Sequence, residues 1–178
     1  MPTCWQECHA QRRRLGAAYL ATTQGSQSKS GLLGDIYGKT VSATFTVTGT
    51  SPVFWYNTAD NPCGTPSSVR LFFQTRNKGG SFVETNYWWS NPISYQLASD
   101  GTAITLNAVV SGANWSDLYG HFGTGTYASG FEHAASNVTM IGLAFGGGCC
   151  FANGVGLQSG TATFHLDSYN VTDTPPLP

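Results

Sequence analysis

From residue 17 onward, apolar and polar residues alternate in short runs separated by clusters of Gly, Asn, Pro and Ser. The run over 39–47 is the cleanest. Val41, Ala43, Phe45 and Val47 form one set, and Thr40, Ser42, Thr44 and Thr46 the other. A period of two puts the two sets on opposite faces of a strand whose apolar face is buried. The same pattern predicts strands over 17–23, 52–56, 69–75, 82–90, 93–98, 102–110, 138–145 and 161–171. Residues 138–145 (VTMIGLAF) are apolar on both faces and are expected at the centre of a sheet. Residues 93–98 and 102–110 flank Ser99-Asp100-Gly101 and are expected to form a hairpin. In the closing run, Ala162, Phe164 and Leu166 are expected to face inward. One short helix is expected, over 129–136. Many short strands with little helix predict an all-β fold: a two-sheet antiparallel β-sandwich of jelly-roll type.

Composition agrees and removes several classes of function. The chain has 178 residues, the size of one domain. Only 10% of them are charged, while Gly is 22, Thr 21 and Ser 17. Thr and aromatic residues in place of Glu, Lys and Ala favour strands. The net charge of −1 leaves no basic excess to neutralise phosphates, so a nucleic-acid partner is not expected. With 40% hydrophobic and 13% aromatic residues, the chain can build a core. No run reaches the ~18 apolar residues that a membrane-spanning helix needs, so no membrane partner is expected either.

The expected organisation is a tail or short extension over 1–16, a sandwich over 17–172 and a tail over 173–178. Arg12, Arg13 and Arg14 precede a stretch too short and too polar for a signal peptide. Of five cysteines, Cys63 lies in a turn-rich loop and Cys149 follows a glycine run. A Cys63–Cys149 disulfide would pin that loop to the end of the central strand and imply an oxidising compartment. The alternative is five reduced thiols. Cys4, Cys8 and His9 lack the second ligand pair that structural zinc requires.

Two segments carry a family resemblance. Residues 161–171 (TATFHLDSYNV) resemble the closing strand of galactose-binding-like jelly rolls. Residues 17–47, with Leu33-Gly34-Asp35 ahead of a long strand, resemble the early strands of that superfamily, which includes laminin IV-type and carbohydrate-binding modules. Asn-Pro-Cys-Gly at 61–64, Tyr-Trp-Trp-Ser-Asn-Pro at 87–92 and Gly-Gly-Gly-Cys at 146–149 are similar to elements of uncharacterised bacterial secreted domains. The likeness spans roughly 17–171. It implies a jelly roll, a secreted or cell-surface location and a structural calcium at Asp167. Residues 1–16 do not look like the strand that usually begins such modules, so the usual calcium partners are missing.

The surplus chemistry is aromatic. Neighbouring strand residues point to opposite faces, so one of Trp88 and Trp89 is expected to face outward, as is one of Trp55 and Tyr56, with Trp55 favoured for the core. An outward ring beside Arg70, Gln74, Glu84 and Asn86 would suit a sugar, whose C–H faces stack on aromatic rings. A second cluster, Asn114-Trp115-Ser116-Asp117 followed by Tyr119 and His121, is dense in polar and aromatic groups. There the four-residue spacing allows an Asp117–His121 contact. No G-x-S-x-G elbow is present, and the acid pattern of sandwich glucanases is missing. The expectation is a non-catalytic carbohydrate-binding module using Trp88, Trp89, Arg70, Gln74, Glu84, Asn86, Trp115, Asp117, Tyr119 and His121, with a polysaccharide or other glycan as partner. The alternatives are an interaction domain that forms homo-oligomers through an aromatic surface, and a polysaccharide-acting enzyme.

Overall fold

The computed structural model describes residues 17–23, 31–56, 66–76, 83–147 and 151–174. Among them, nine strands form two facing antiparallel sheets, as the alternation implied. The larger sheet runs β1 (Ala17–Thr22), β8 (Val138–Gly146), β3 (Ser68–Thr75), β4 (Tyr87–Ser90), β7 (Trp115–Ser116). The two-residue β5 (Tyr95–Gln96) pairs with the start of β3, while β4 pairs with its far end. The smaller sheet is β6 (Ala103–Val109), β2 (Thr40–Trp55), β9 (Gly156–Thr172). The chain crosses between the sheets after β1, β2, β5, β6 and β8.

The alternating positions meet between the sheets. Val41, Ala43, Phe45 and Val47 of β2 join Val69, Leu71 and Phe73 of β3 and Ile141, Leu143 and Phe145 of β8 in one buried cluster. Phe164 of β9 ties the layers together: its ring stacks on Phe45 at 4.8 Å and meets Phe145 edge-on at 5.2 Å. Burying each such side chain contributes roughly 1.5–3 kcal/mol. As expected for a strand apolar on both faces, β8 lies inside its sheet, between β1 and β3.

Helix α1 (Ala128–Ala135) matches the one expected helix. It buries Phe131, Ala134 and Ala135, an i, i+3, i+4 stripe. The Phe131 ring meets Trp88 edge-on at 4.9 Å and Phe73 at 6.0 Å. The helix therefore plugs one end of the sandwich. No helix among the described residues is long and apolar enough to cross a membrane.

Several local expectations change. Segments 39–47 and 52–56 are one 16-residue strand, β2, because β9 offers a partner along its whole length. Irregularities between Thr50 and Phe54, with Ser51 at φ 44°, absorb the break in pattern. The hairpin over 93–110 does not form: β5 and β6 belong to different sheets. The Ser99-Asp100-Gly101 turn instead carries the chain across, with Gly101 at φ 72° and Thr102 N donating to Asp100 Oδ1 at 2.9 Å. In the 82–90 segment the strand starts only at Tyr87, because Glu84–Asn86 is a 3₁₀ turn. In β9, a bulge between Leu166 and Ser168 resets the alternation. Phe164 packs inward and so do Tyr169 and Val171, whereas Leu166 at the bulge stays 36% exposed.

Candidate functional site

Beyond β7 the chain makes a tight loop from Asp117 to His121. Gly120 N donates to Asp117 O at 3.1 Å, and Asp117 N donates to His121 O at 2.9 Å. Gly120 sits at φ 85°, where a side chain would be strained. The Asp117 side chain is fully buried beneath this loop. Its Oδ1 accepts the N–H groups of Tyr119 and His121, both at 2.9 Å, and its Oδ2 lies 3.1 Å from His121 Nδ1. A carboxylate only accepts, so this contact places a proton on Nδ1; in the neutral imidazole Nε2 is then the acceptor. The imidazole lies flat on Tyr127, with centroids 4.2 Å apart and 9° between planes. Tyr127 ends the 3₁₀ turn Gly125–Tyr127 that leads into α1. His121 is thus fixed by a hydrogen bond on one edge and a ring on one face, yet its side chain is 42% exposed.

Two neighbours complete the site. Glu84, from the 3₁₀ turn ahead of β4, brings a carboxylate oxygen to within 4.8 Å of ligand-type atoms of both Asp117 and His121. Tyr119 is largely exposed, its ring 6.2 Å from the imidazole. An ion here would meet Glu84 and His121, with Asp117 orienting the ring from behind. Two protein ligands fall short of the three or four of zinc sites.

The outer face of the larger sheet is a second feature. Phe72 and Trp89 pair across β3 and β4, with ring centroids 5.3 Å apart. With Ala144 they form a small buried cluster, covered in part by Leu118, Phe151 and Ala152. Arg70 lies on the same face and is only 5% exposed. Its Nη1 donates to Ser90 O at 2.8 Å, and its guanidinium carbon sits 3.9 Å from the centroid of Phe151. Burial pulls the Arg70 guanidinium down to about 10. At the opposite layer, burial raises the Tyr169 hydroxyl, which donates to Gly142 O at 3.1 Å. The Tyr95 hydroxyl is raised by burial and then by Asp100.

The structure therefore divides the residues read from the sequence. Asp117, His121, Glu84 and Tyr119 come together. Trp88 does not join them, being fully buried with Nε1 donating to Thr85 O at 2.7 Å. Trp115 is also fully buried, its Nε1 donating to Val109 O at 2.9 Å. Trp89 points outward as one of the pair had to, but it is covered and offers no open stacking face. Arg70 and Asn86 are buried as well, and Gln74 is half-buried. So the face drawn from these residues is closed, because loop residues such as Phe151 lie over it. Trp55, expected in the core, is 36% exposed, because the irregularity in β2 turns Phe54 toward the core and its neighbour Trp55 to the outer face. Asp167 accepts from Thr46 Oγ1 at 3.2 Å on the exposed face of β9. Among the described residues, the only group of three or more His, Cys, Asp and Glu that could share an ion is Glu84, Asp117 and His121, so Asp167 belongs to no such group. Cys4, Cys8, His9, Cys63 and Cys149 lie outside the described residues. Tyr127 and Phe151 were not singled out from the sequence. Nothing in a Gly-Thr-Tyr turn signals a ring stacked on a histidine six residues earlier.

No protein-family model, no curated protein and no solved structure matches this chain.

Proposed function

We propose that this protein is a non-catalytic glycan-binding module whose site is the rim formed by His121, Tyr119 and Glu84. One observation carries the reading: buried Asp117 and stacked Tyr127 hold the His121 ring rigidly beside the Glu84 carboxylate and an exposed tyrosine. Sugar hydroxyls need acceptors held in place, which Nε2 and the Glu84 carboxylate supply. A sugar C–H face needs an open ring, which Tyr119 supplies at 43% exposure. Preorganisation matters because ordering side chains on binding costs about 0.5–1.5 kcal/mol each. The resemblance to galactose-binding-like modules points the same way, as does the secreted or surface location it implies.

The same geometry argues against glycoside hydrolysis. That reaction uses two working carboxylates. Both oxygens of Asp117 are engaged and the side chain is sealed from solvent, which leaves Glu84 alone. The test is retention on insoluble polysaccharides and a glycan array, comparing wild type with Tyr119→Ala, His121→Ala and Glu84→Gln. At least tenfold weaker retention in Tyr119→Ala and His121→Ala is expected, with unchanged circular dichroism. A wild type that binds no glycan, or variants that bind like wild type, would overturn the proposal.

A second reading rests on the opposite end of the sandwich. Val53, Trp55 and Leu157 are exposed there, at the tip of the β2–β9 pair. Beside them lies an apolar cavity of about 440 Å³, lined by Val47, Phe54, Leu97, Phe145, Leu157 and Phe164 among others. A second copy of the chain covering this tip would make the protein an oligomeric interaction domain. A dimer by sedimentation that Trp55→Ser turns into a monomer would favour that reading.

A further inference from the structure

Arg70 and Trp89 share the outer face of the larger sheet, and each carries a buried donor. Among the described residues neither Arg70 Nε nor Trp89 Nε1 has an acceptor within hydrogen-bond distance. Each side chain is 5% exposed. A buried unpaired donor costs about 1–3 kcal/mol, and more when it belongs to a charged group. Native structures leave only a few such donors per hundred residues and each calls for an explanation, so two that neighbour each other on one face point to a shared partner. Their placement is set by register. Trp89 pairs with Phe72, and Arg70 lies two residues before Phe72 on β3, so Arg70 and Trp89 are diagonal neighbours about 7–8 Å apart.

The charge points to the kind of partner. Among the described residues no carboxylate lies within ion-pair distance of Arg70. Its guanidinium is held on one side by Ser90 O, through Nη1, and on one face by the Phe151 ring. These contacts orient the planar group and leave Nε without an acceptor, on the edge that grips carboxylates and phosphates side-on. A neutral acceptor would pair the donors but leave the buried positive charge unmatched. An anion does both.

We propose that Arg70 and Trp89 form a binding site for a small oxyanion, a carboxylate or a tetrahedral sulfate- or phosphate-type group. The anion takes two hydrogen bonds from the Nε–Nη2 edge of Arg70 and one from the indole N–H of Trp89. Burial lowers the basicity of the guanidinium, and a bound anion would offset that cost. No residue of the His121 rim takes part, so this site stands or falls independently of glycan binding.

The test reads the two donors directly. In ¹H–¹⁵N spectra of the wild-type protein, the Arg70 Nε–H and Trp89 Nε1–H resonances are assigned by their loss in Arg70→Lys and Trp89→Phe. Sodium sulfate, phosphate and acetate are then titrated at constant ionic strength against sodium chloride. Both resonances are expected to shift together and saturate with one dissociation constant. The anion that saturates first tells a tetrahedral from a planar ligand. Arg70→Lys keeps the charge but loses the fork, and is expected to weaken binding about tenfold. If neither resonance moves beyond the chloride reference, or only one of them follows the anion, the proposal fails. The wild-type titration decides even if a variant does not fold.

Discussion

Replacing Asp117 with alanine tests whether the rim is a built site or an accidental contact. The substitution removes the acceptor of two backbone N–H groups and of the His121 Nδ1–H. Each donor stranded away from water costs about 1–3 kcal/mol. Tyr119 and Gly120 border solvent, so water reaches part of the vacated space and the lower half of that range applies. The partly exposed imidazole can turn its N–H to water, so the two backbone donors count and the expected loss is about 2–4 kcal/mol. Near the midpoint of a chain this long, 1 kcal/mol moves Tm by roughly 2–4 °C, which gives a drop of about 4–16 °C. Asp117→Asn keeps an oxygen for the two backbone donors and disturbs only the imidazole contact, so about 1 kcal/mol is expected. His121→Ala removes a partly exposed ring and should cost less than about 1 kcal/mol. Guanidinium unfolding followed by tryptophan fluorescence measures all three, with unchanged m-values as the check on two-state behaviour. The Asp117→Ala/His121→Ala double variant should fall short of the sum, because the two residues share one hydrogen bond. Asp117→Ala within about 0.5 kcal/mol of wild type would refute the reasoning, since surface changes without structural consequence lie in that range. An Asp117→Asn loss as large as that of alanine would show that the charge, rather than the placement of acceptors, holds the loop.

Two further outcomes follow from the core. Trp88→Ala should cost about 3–5 kcal/mol, because it empties a fully buried site against Phe131 and removes the donor to Thr85 O; equilibrium unfolding showing under about 2 kcal/mol would contradict that packing. Tyr169 has its hydroxyl raised by burial, so the folded state resists ionising it while the unfolded chain ionises near pH 10; stability should therefore fall as pH rises above about 10, and Tyr169→Phe should flatten that fall by up to one proton's slope in denaturation curves measured from pH 8 to 11.

Much of the fold was legible because a sandwich is written locally. The alternation in β2, the two-sided apolar run of β8 and the i, i+3, i+4 stripe of α1 each state which side chains are buried without reference to the rest of the chain. Pairing was not legible in the same way. Ser99-Asp100-Gly101 has the chemistry of a turn, but a turn does not say whether the next strand folds back beside the last or crosses to the other layer. β6 crosses because β2 supplies a seven-residue partner, from Thr40 to Thr46, in the smaller sheet. The bulge that leaves Leu166 exposed likewise belongs to the β2–β9 register rather than to any residue in β9.

The site divides along the same line. Asp117 and His121, four residues apart in one loop, were recognisable as a pair because short loops bring such spacings together. Sequence also required that Trp88 and Trp89 face opposite ways. Which of them entered the core, and whether the outer one stayed open, depended on Phe131 arriving from α1 and Phe151 arriving after β8. Glu84 and Tyr127 reached His121 from separate turns, and Arg70 lost its water to a loop more than seventy positions away. Alternation along a strand is a short-range property of the backbone, so the sequence states it directly. Burial of a given ring or charge is a sum over distant segments, and only the folded chain performs that sum.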